Sequence, residues 1–400
     1  SLVGSEMCIR DRYICNLNPF ENRSGGHQRG NHILQALMAF ADVDILYIHG
    51  SLEKSIDAAN VTNCVISRFN GGKFKKRIKQ FFYLFNISPN MITPSNHKCI
   101  KAFNKILKEK DYDIVFFRYL KPYLECGMPQ LYNMVVDVDD LPWQESLCLA
   151  QNSQYSCIKR LYHRYRTNMI EHYANIMFHR FRLAFFSNKF DIKCANGVYL
   201  QNIPYVDDTN SICDMPEQQP RYILFVGTLS HVPNIEGLDH FITKIWPHIL
   251  KQHPDIRLKI VGRGLPPTIK RKWHSVQNLD LMGYVESLPL LYRQCTAVIS
   301  PIYSGAGTNI KVLEALLYEK VCIISDFSHR GFEEHLKDGN DLYICYSDKE
   351  YVEKLSYALE HSDKLKEMAK HGSMQVHKYF SIEKFKETIK SSLEKEFTEK

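Results

Sequence analysis

Apolar runs that alternate with amphipathic stretches, twice over, constrain the fold of this 400-residue chain more than any single motif does. From Tyr13 to about Tyr205 the candidate strands are Tyr13–Asn16, Val43–Ile48, Cys64–Ser67, Ile114–Phe117, Met134–Val138 and Leu183–Ser187. Candidate helices fall between them at Gly26–Ala41, Lys73–Phe85, His97–Lys108 and Ile158–Arg180. A second series begins with the strand Tyr222–Gly227. Ile235, Leu238, Phe241, Ile242, Ile245, Trp246 and Ile249 then trace the buried stripe of a helix. Further strands follow at Leu258–Gly262, Leu279–Gly283, Ala297–Ser300, Val321–Ser325 and Leu342–Ile344. Strands that alternate with helices imply parallel sheets covered on both faces. The expectation is two Rossmann-like α/β domains, residues 13–206 and 221–380, joined by a polar, aperiodic linker at 207–220. A charged helix within 381–400 is expected to return to the first domain. Ligands would then sit beyond the carboxyl ends of the strands, in a cleft between the two domains.

Residues 1–12 fit neither a strand nor a signal sequence and resemble a translated sequencing-adapter scar, so they are set aside as non-native. The composition of the whole chain is that of a globular protein, 44% hydrophobic and 24% charged. Twelve cysteines lie scattered without Cys-x-x-Cys or zinc spacing, as expected for reduced thiols in a cytoplasmic protein. A net charge of +7 suits an acidic partner or an anionic surface, and nothing resembles a nucleic-acid module.

Within the second series, Pro301–Glu319 carries the chemistry. The run Thr296–Ser300 reads as a buried strand; Gly305 and Gly307 turn the chain; Thr308 and Asn309 open a helix whose apolar positions are Ile310, Leu313, Leu316 and Leu317. Free N–H groups and the positive end of the helix dipole make such a turn an anion site, and glycine lets a phosphate approach. Lys311 adds a full charge in the first turn. Glu314, three residues on, shares its helical face and is placed to accept two sugar hydroxyls. A diphosphate beside a ribose fits. The plain alternative is a turn followed by an exposed Lys311–Glu314 pair of little consequence.

Taken in order, the motifs of residues 222–385 resemble the retaining GT-B glycosyltransferases of family 4. Phe225-Val226-Gly227 with Pro233-Asn234 matches the first strand and its glycine loop; Ile260-Val261-Gly262 matches the second strand. Leu281-Met282-Gly283-Tyr284-Val285 with Leu288–Tyr292 matches the segment that meets the nucleobase. Gly305-Ala306-Gly307-Thr308 with Lys311 and Glu314 matches the diphosphate and ribose motif. In the first domain, Ser24-Gly25-Gly26-His27-Gln28-Arg29 looks like the family's first glycine loop.

The resemblance implies a GT-B fold and transfer of a sugar from a nucleoside-diphosphate sugar to an acceptor hydroxyl with retention, in surface polysaccharide or lipid-linked glycan assembly. Lys311 and the N–H groups of Gly307–Asn309 would stabilise the departing diphosphate, so no metal or other cofactor is required. Donor contacts would come from Gly227, Asn234, Arg263, Tyr284, Val285, Gly305, Gly307, Thr308, Asn309, Lys311 and Glu314. The acceptor side would hold Gly25, Gly26, His27, Arg29, Arg118, Asp139 and Asp140, with Asp140 orienting the acceptor hydroxyl or taking its proton. Asp137, Asp139 and Asp140 also carry a competing Asp-x-Asp metal reading and a structural one in which they cap the next helix.

The sequence departs from the family's common pattern at two places. Thr228 stands where an Arg is common, and Ala306 replaces the first Glu of the familiar Glu-x7-Glu pair, so a sugar-nucleotide epimerase and a non-catalytic nucleotide-sugar binding protein stay open as alternatives. Lys73–Phe85, five cations in seven residues followed by an aromatic tail, suits an anionic membrane surface and peripheral attachment at the inner face; Lys159, Arg160, Arg164, Arg166, Arg180 and Arg182 extend that surface.

Overall fold

The computed structural model describes residues 10–21, 25–52, 60–65, 95–151, 155–204, 221–305 and 307–398. Two expectations lie outside them: the basic segment Lys73–Phe85 and the linker 207–220. Every strand pairing among the described residues is parallel, as the double alternation requires.

The first unit comprises residues 1–201 and 382–400. Its strands are β1 (Arg10–Cys15), β2 (Asp42–Ile48), β3 (Val61–Cys64), β4 (Ile114–Arg118), β5 (Met134–Asp139), β6 (Leu183–Phe186) and β7 (Gly197–Tyr199), in the order β3-β2-β1-β4-β5-β6-β7. Helix α1 (Gly25–Met38) follows β1, and the long α2 (Cys157–Phe178) precedes β6. The last helix, Ile382–Thr398, belongs to this unit and packs along α1, where Phe385 meets the His32 ring edge-on at 5.9 Å.

The strand β1 starts at Arg10, so residues set aside as a scar form half of a central strand. Backbone pairing decides this, because Asp11 lies between Val43 of β2 and Ile114 of β4. The side chains fit poorly. Asp11 is fully buried, neither carboxylate oxygen has a hydrogen-bond partner among the described residues, and burial with the nearby Asp113 charge pushes its pKa up to about 8. Arg12 is better served, bonded to Tyr112 and to Asp44.

The second unit spans residues 202–381. Its strands are β8 (Tyr222–Val226), β9 (Arg257–Val261), β10 (Leu279–Gly283), β11 (Ala297–Ser300), β12 (Val321–Ser325) and β13 (Tyr343–Cys345), in the order β10-β9-β8-β11-β12-β13. Helix α3 (Val232–His240) follows β8 and α4 (Ile310–Leu317) follows β11. The helix expected to run unbroken from Ile235 to Ile249 instead widens into a π turn at Phe241–Ile245. Pro247, just beyond, has no N–H to close an ordinary turn. Each unit has its own apolar core, with Phe117, Tyr123 and Phe178 in the first and Phe241, Trp246 and Trp273 in the second.

In both sheets the strand order reverses once, between β1 and β4 in the first unit and between β8 and β11 in the second. Such a switch point splays the loops beyond the strand ends apart and leaves a crevice for ligands. In the second unit those loops carry Gly227 and Gly305.

Candidate active site

At the switch point of the second unit the chain folds two glycine loops together. Gly305 has φ 120° and Gly307 φ 71°, backbone that other residues adopt only under strain. A Cβ on Gly305 would come 3.0 Å from Cγ of Pro233 in the first turn of α3. A Cβ on Gly262 would overlap the carbonyl oxygen of Gly227 at 1.8 Å, so the loops after β8 and β9 also need glycine to pass.

Lys311 lies in the first turn of α4 and reaches back to α3. Its ammonium donates to Oδ1 of Asn234 at 2.8 Å and sits 4.8 Å from the centre of the Phe225 ring. The buried Asn234 is oriented in turn by its own donation to the Thr228 carbonyl at 2.9 Å. Lys311 forms no salt bridge among the described residues. Desolvation, only partly opposed by Glu314, lowers its pKa to about 8. Glu314 accepts a bond from the buried Tyr292 hydroxyl at 3.3 Å, and the Tyr292 ring stacks on Tyr318 at 4.9 Å. The simple Lys311–Glu314 surface pair is thus not formed; each has its own partner.

Thr308 accepts from Nδ2 of the buried Asn202 at 3.0 Å, and its methyl fills the space where Gly331 lacks a Cβ. Asn309 occupies the N-cap of α4 without a side-chain cap bond, and the amides of Ile310 and Val312 are already bonded to the carbonyls of Thr308 and Asn309. The structure therefore brings Gly227, Asn234, Gly305, Thr308, Lys311 and Glu314 to the ends of two adjacent strands. Arg263, exposed, lies past β9, and Tyr284 and Val285 lie past β10, one and two strands over from β8. Tyr284 is 65% exposed. Sequence reading missed Asn202 and the orienting role of Tyr292, because neither lies in a glycine loop.

In the first unit, the residues expected on the acceptor side divide into two groups. Gly26 opens α1 beneath Tyr119, whose hydroxyl a Cβ there would meet at 2.8 Å, and His27 stands 3.9 Å from Glu21. Arg29 and Arg118 were expected to face a ligand and do not. Both are almost fully buried in a network with the carboxylates at the end of β5. Arg29 forks onto Asp137 at 2.6–3.1 Å and bonds the Leu200 carbonyl at 2.9 Å. Arg118 bonds Asp137 at 2.5 Å and Asp139 at 2.9 Å. Two cations and two carboxylates balance, and the carboxylates of the Asp-x-Asp run point at guanidinium groups. Among the described residues no group of three or more His, Cys, Asp or Glu is placed to hold a metal.

Strain marks this strand end. Tyr119 has φ 74° and Asp139 φ 57°, and the two meet at 3.3 Å. Residues held in such backbone cluster at functional sites. Asp140, next along, is exposed. Crowding of its carboxyl at the strand end and then the Asp139 charge raise its pKa, with the residue's exposure limiting how far.

Residues 220–361 match the family model described as glycosyl transferases group 1. An uncharacterised 44.6 kDa protein of the cps region of Klebsiella pneumoniae is 26% identical over 223 residues, 53% of this chain and 56% of that protein, so the chain spans about half the length of the curated relative it matches. Among solved structures, sucrose-phosphate synthase from Thermosynechococcus elongatus superposes with a TM-score of 0.69 at 13% identity, covering 98% of this chain and 100% of that one. Anabaena HepE, solved in complex with UDP and glucose, gives 0.62 at 11% identity, covering 97% and 100%. At such identities the likeness is one of fold. Two parallel-sheet units and these neighbours are consistent with a GT-B fold, and within it residues 220–361 are similar to the group 1 glycosyl transferases.

Proposed function

We propose that this protein is a retaining glycosyltransferase that moves a sugar from a nucleoside-diphosphate sugar to a hydroxyl of a glycan or lipid-linked acceptor, in assembly of a surface polysaccharide. The observation that carries the reading is Lys311: a desolvated ammonium in the first turn of a glycine-led helix, held by a neutral amide and an aromatic face instead of a carboxylate. A desolvated cation with no carboxylate in contact and only Glu314 partly opposing the cost is expensive, and an arriving diphosphate supplies a full counter-charge.

In this reading the Lys311 ammonium and the turn at Gly307–Asn309 neutralise the negative charge that grows on the diphosphate as the bond to the anomeric carbon breaks. Removing one preorganised donor of this kind costs about 3 kcal/mol of barrier, on the order of a hundredfold in rate. Glu314, oriented by Tyr292, accepts the ribose hydroxyls, and Tyr284 offers a ring face to the base. On the acceptor side Asp140, exposed beside Asp139 with its carboxyl pKa raised, is placed to act as the general base. The cps-region relative fits a surface glycan as product. The scheme requires no metal.

Titration calorimetry with UDP, GDP, ADP and CMP, without added metal, tests the reading on wild type, Lys311→Ala and Glu314→Ala. One nucleotide is expected to bind the wild type, with both variants losing most of the affinity. No binding by any nucleotide to the folded wild type would remove the reading. Binding without transfer to acceptor or slow hydrolysis of the sugar donor would leave a nucleotide-sugar binding protein in its place.

A further inference from the structure

Arg330 follows β12, in a loop fastened to the one that carries the glycine turn. A 3-10 turn, Phe327–His329, leads to it. Ser325 Oγ donates to the Ile302 carbonyl, and Ser328 Oγ donates to that of Ser300 at 2.7 Å. Gly331, with φ 86°, leaves room for the Thr308 methyl, which a Cβ there would strike. Thr308 precedes the helix on which Lys311 stands. Neighbouring Cα atoms are about 3.8 Å apart, so an arginine next to Gly331 reaches the turn from its β12 side.

The charge of this arginine is not spent inside the protein. Its guanidinium is half-buried, lies 4.9 Å from the centre of the Phe327 ring, and forms no salt bridge among the described residues. Of the carboxylates close to it in sequence, Glu333 accepts the Gly331 amide at 2.8 Å, and Asp326 is exposed and does not pair with it. Like Lys311, Arg330 rests on an aromatic face instead of a carboxylate.

The row of strand ends says which part of a nucleotide sugar would meet it. Tyr284 lies past β10, Lys311 at β8 and β11, and β12 is the next strand outward, about 5 Å on. A donor with its base at Tyr284 and its diphosphate at Lys311 carries its sugar toward β12. Residues 301–309 include no acidic side chain, so a negative sugar meets no carboxylate on the turn. A neutral hydroxyl uses little of a guanidinium, whereas a carboxylate matches its planar fork with two charge-assisted bonds.

We infer that the donor sugar is acidic, a nucleoside-diphosphate uronate whose carboxylate pairs with Arg330. This rests on the nucleotide-sugar reading above and adds the class of sugar to it.

Titration calorimetry on the full chain tests it with each uronate beside its parent hexose: UDP-glucuronate and UDP-glucose, UDP-galacturonate and UDP-galactose, GDP-mannuronate and GDP-mannose, with UDP and GDP as sugar-free references. Wild type is expected to hold the uronate about tenfold tighter than the parent in at least one pair. Arg330→Gln should bring that ratio to about one, and Arg330→Lys should keep part of it, because a point charge remains without the fork. The thermal transition of each variant reports that it is folded. Wild type that binds UDP or GDP but favours no uronate would overturn this inference and leave the glycosyltransferase reading standing. A glutamine variant with undiminished preference would overturn it as well. So would a glutamine variant that loses the sugar-free nucleotide in the same proportion as the uronate, which would assign the guanidinium to the diphosphate. Binding of neither UDP nor GDP would overturn it through the reading on which it rests.

Discussion

Replacing Lys311 with methionine should stabilise the empty protein and abolish its response to nucleotide. An ammonium whose pKa falls from 10.5 to about 8 on folding is worse off in the native state than in water. At pH 7, below both values, the difference amounts to at most about 3 kcal/mol of lost stability. Because the folded value is the lower one, the penalty is full below pH 8 and fades as the pH climbs toward 10.5. Methionine keeps the bulk and contact with Phe225 but leaves Oδ1 of Asn234 without its donor, which returns roughly 1 kcal/mol. The net gain of about 2 kcal/mol should raise the melting temperature of the unit by about 4–8 °C.

Calorimetric scans at pH 7 and pH 10 with and without the preferred nucleotide read all of this. The variant should melt higher than wild type at pH 7 without ligand, the gap should shrink at pH 10, and only wild type should gain stability from nucleotide. Binding near pH 8 should also draw about half a proton from the buffer, since a diphosphate restores the charged form. A methionine variant that melts below wild type at pH 7, or a gap indifferent to pH, would show that Asn234 and Phe225 compensate the ammonium fully and that no charge is wanting at the site.

Three further outcomes follow from partners seen in the two units. Tyr292→Phe should weaken a nucleoside diphosphate about fivefold while leaving inorganic pyrophosphate unaffected in calorimetry, because only the Glu314 carboxylate loses its orienting hydroxyl. Asp137→Asn should destabilise the first unit by about 3–5 kcal/mol in urea titration, since Arg29 and Arg118 lose the charge they share. Asp11→Val should do the reverse. A carboxyl raised from 3.8 to about 8 loses stability steadily as the pH rises between those values, so the valine variant should gain on the order of 4 kcal/mol over wild type at pH 7 and nothing at pH 3.

The sequence made the double α/β series and the glycine turn legible because both are local. Period and length separate strand from helix, and a glycine between a strand and a helix announces positive φ, which Gly305 and Gly307 have. Periodicity misplaced β1 for the same local reason: Arg10-Asp11-Arg12 is no apolar run, yet strands on both sides supply backbone partners that outweigh the side chains. It also passed over β7, only three residues long and part-buried.

Partners are another matter. Spacing put Lys311 and Glu314 on one face, but what Lys311 touches is Asn234, 77 residues earlier, brought close only because β8 and β11 are neighbours at the switch point. Arg29 reads as a cation beside a glycine loop, and nothing local says that Asp137, 108 positions on, ends two strands away and claims it. The two cases point in opposite directions. A cation that finds a buried carboxylate becomes structure, as Arg29 and Arg118 do, whereas Lys311 finds an amide, which in the proposed reading leaves its charge for a ligand. Which of the two a glycine-loop cation becomes is decided by what the neighbouring strand carries at its end, and that is where a search of other chains with this Gly-x-Gly-Thr-x-x-Lys pattern should look.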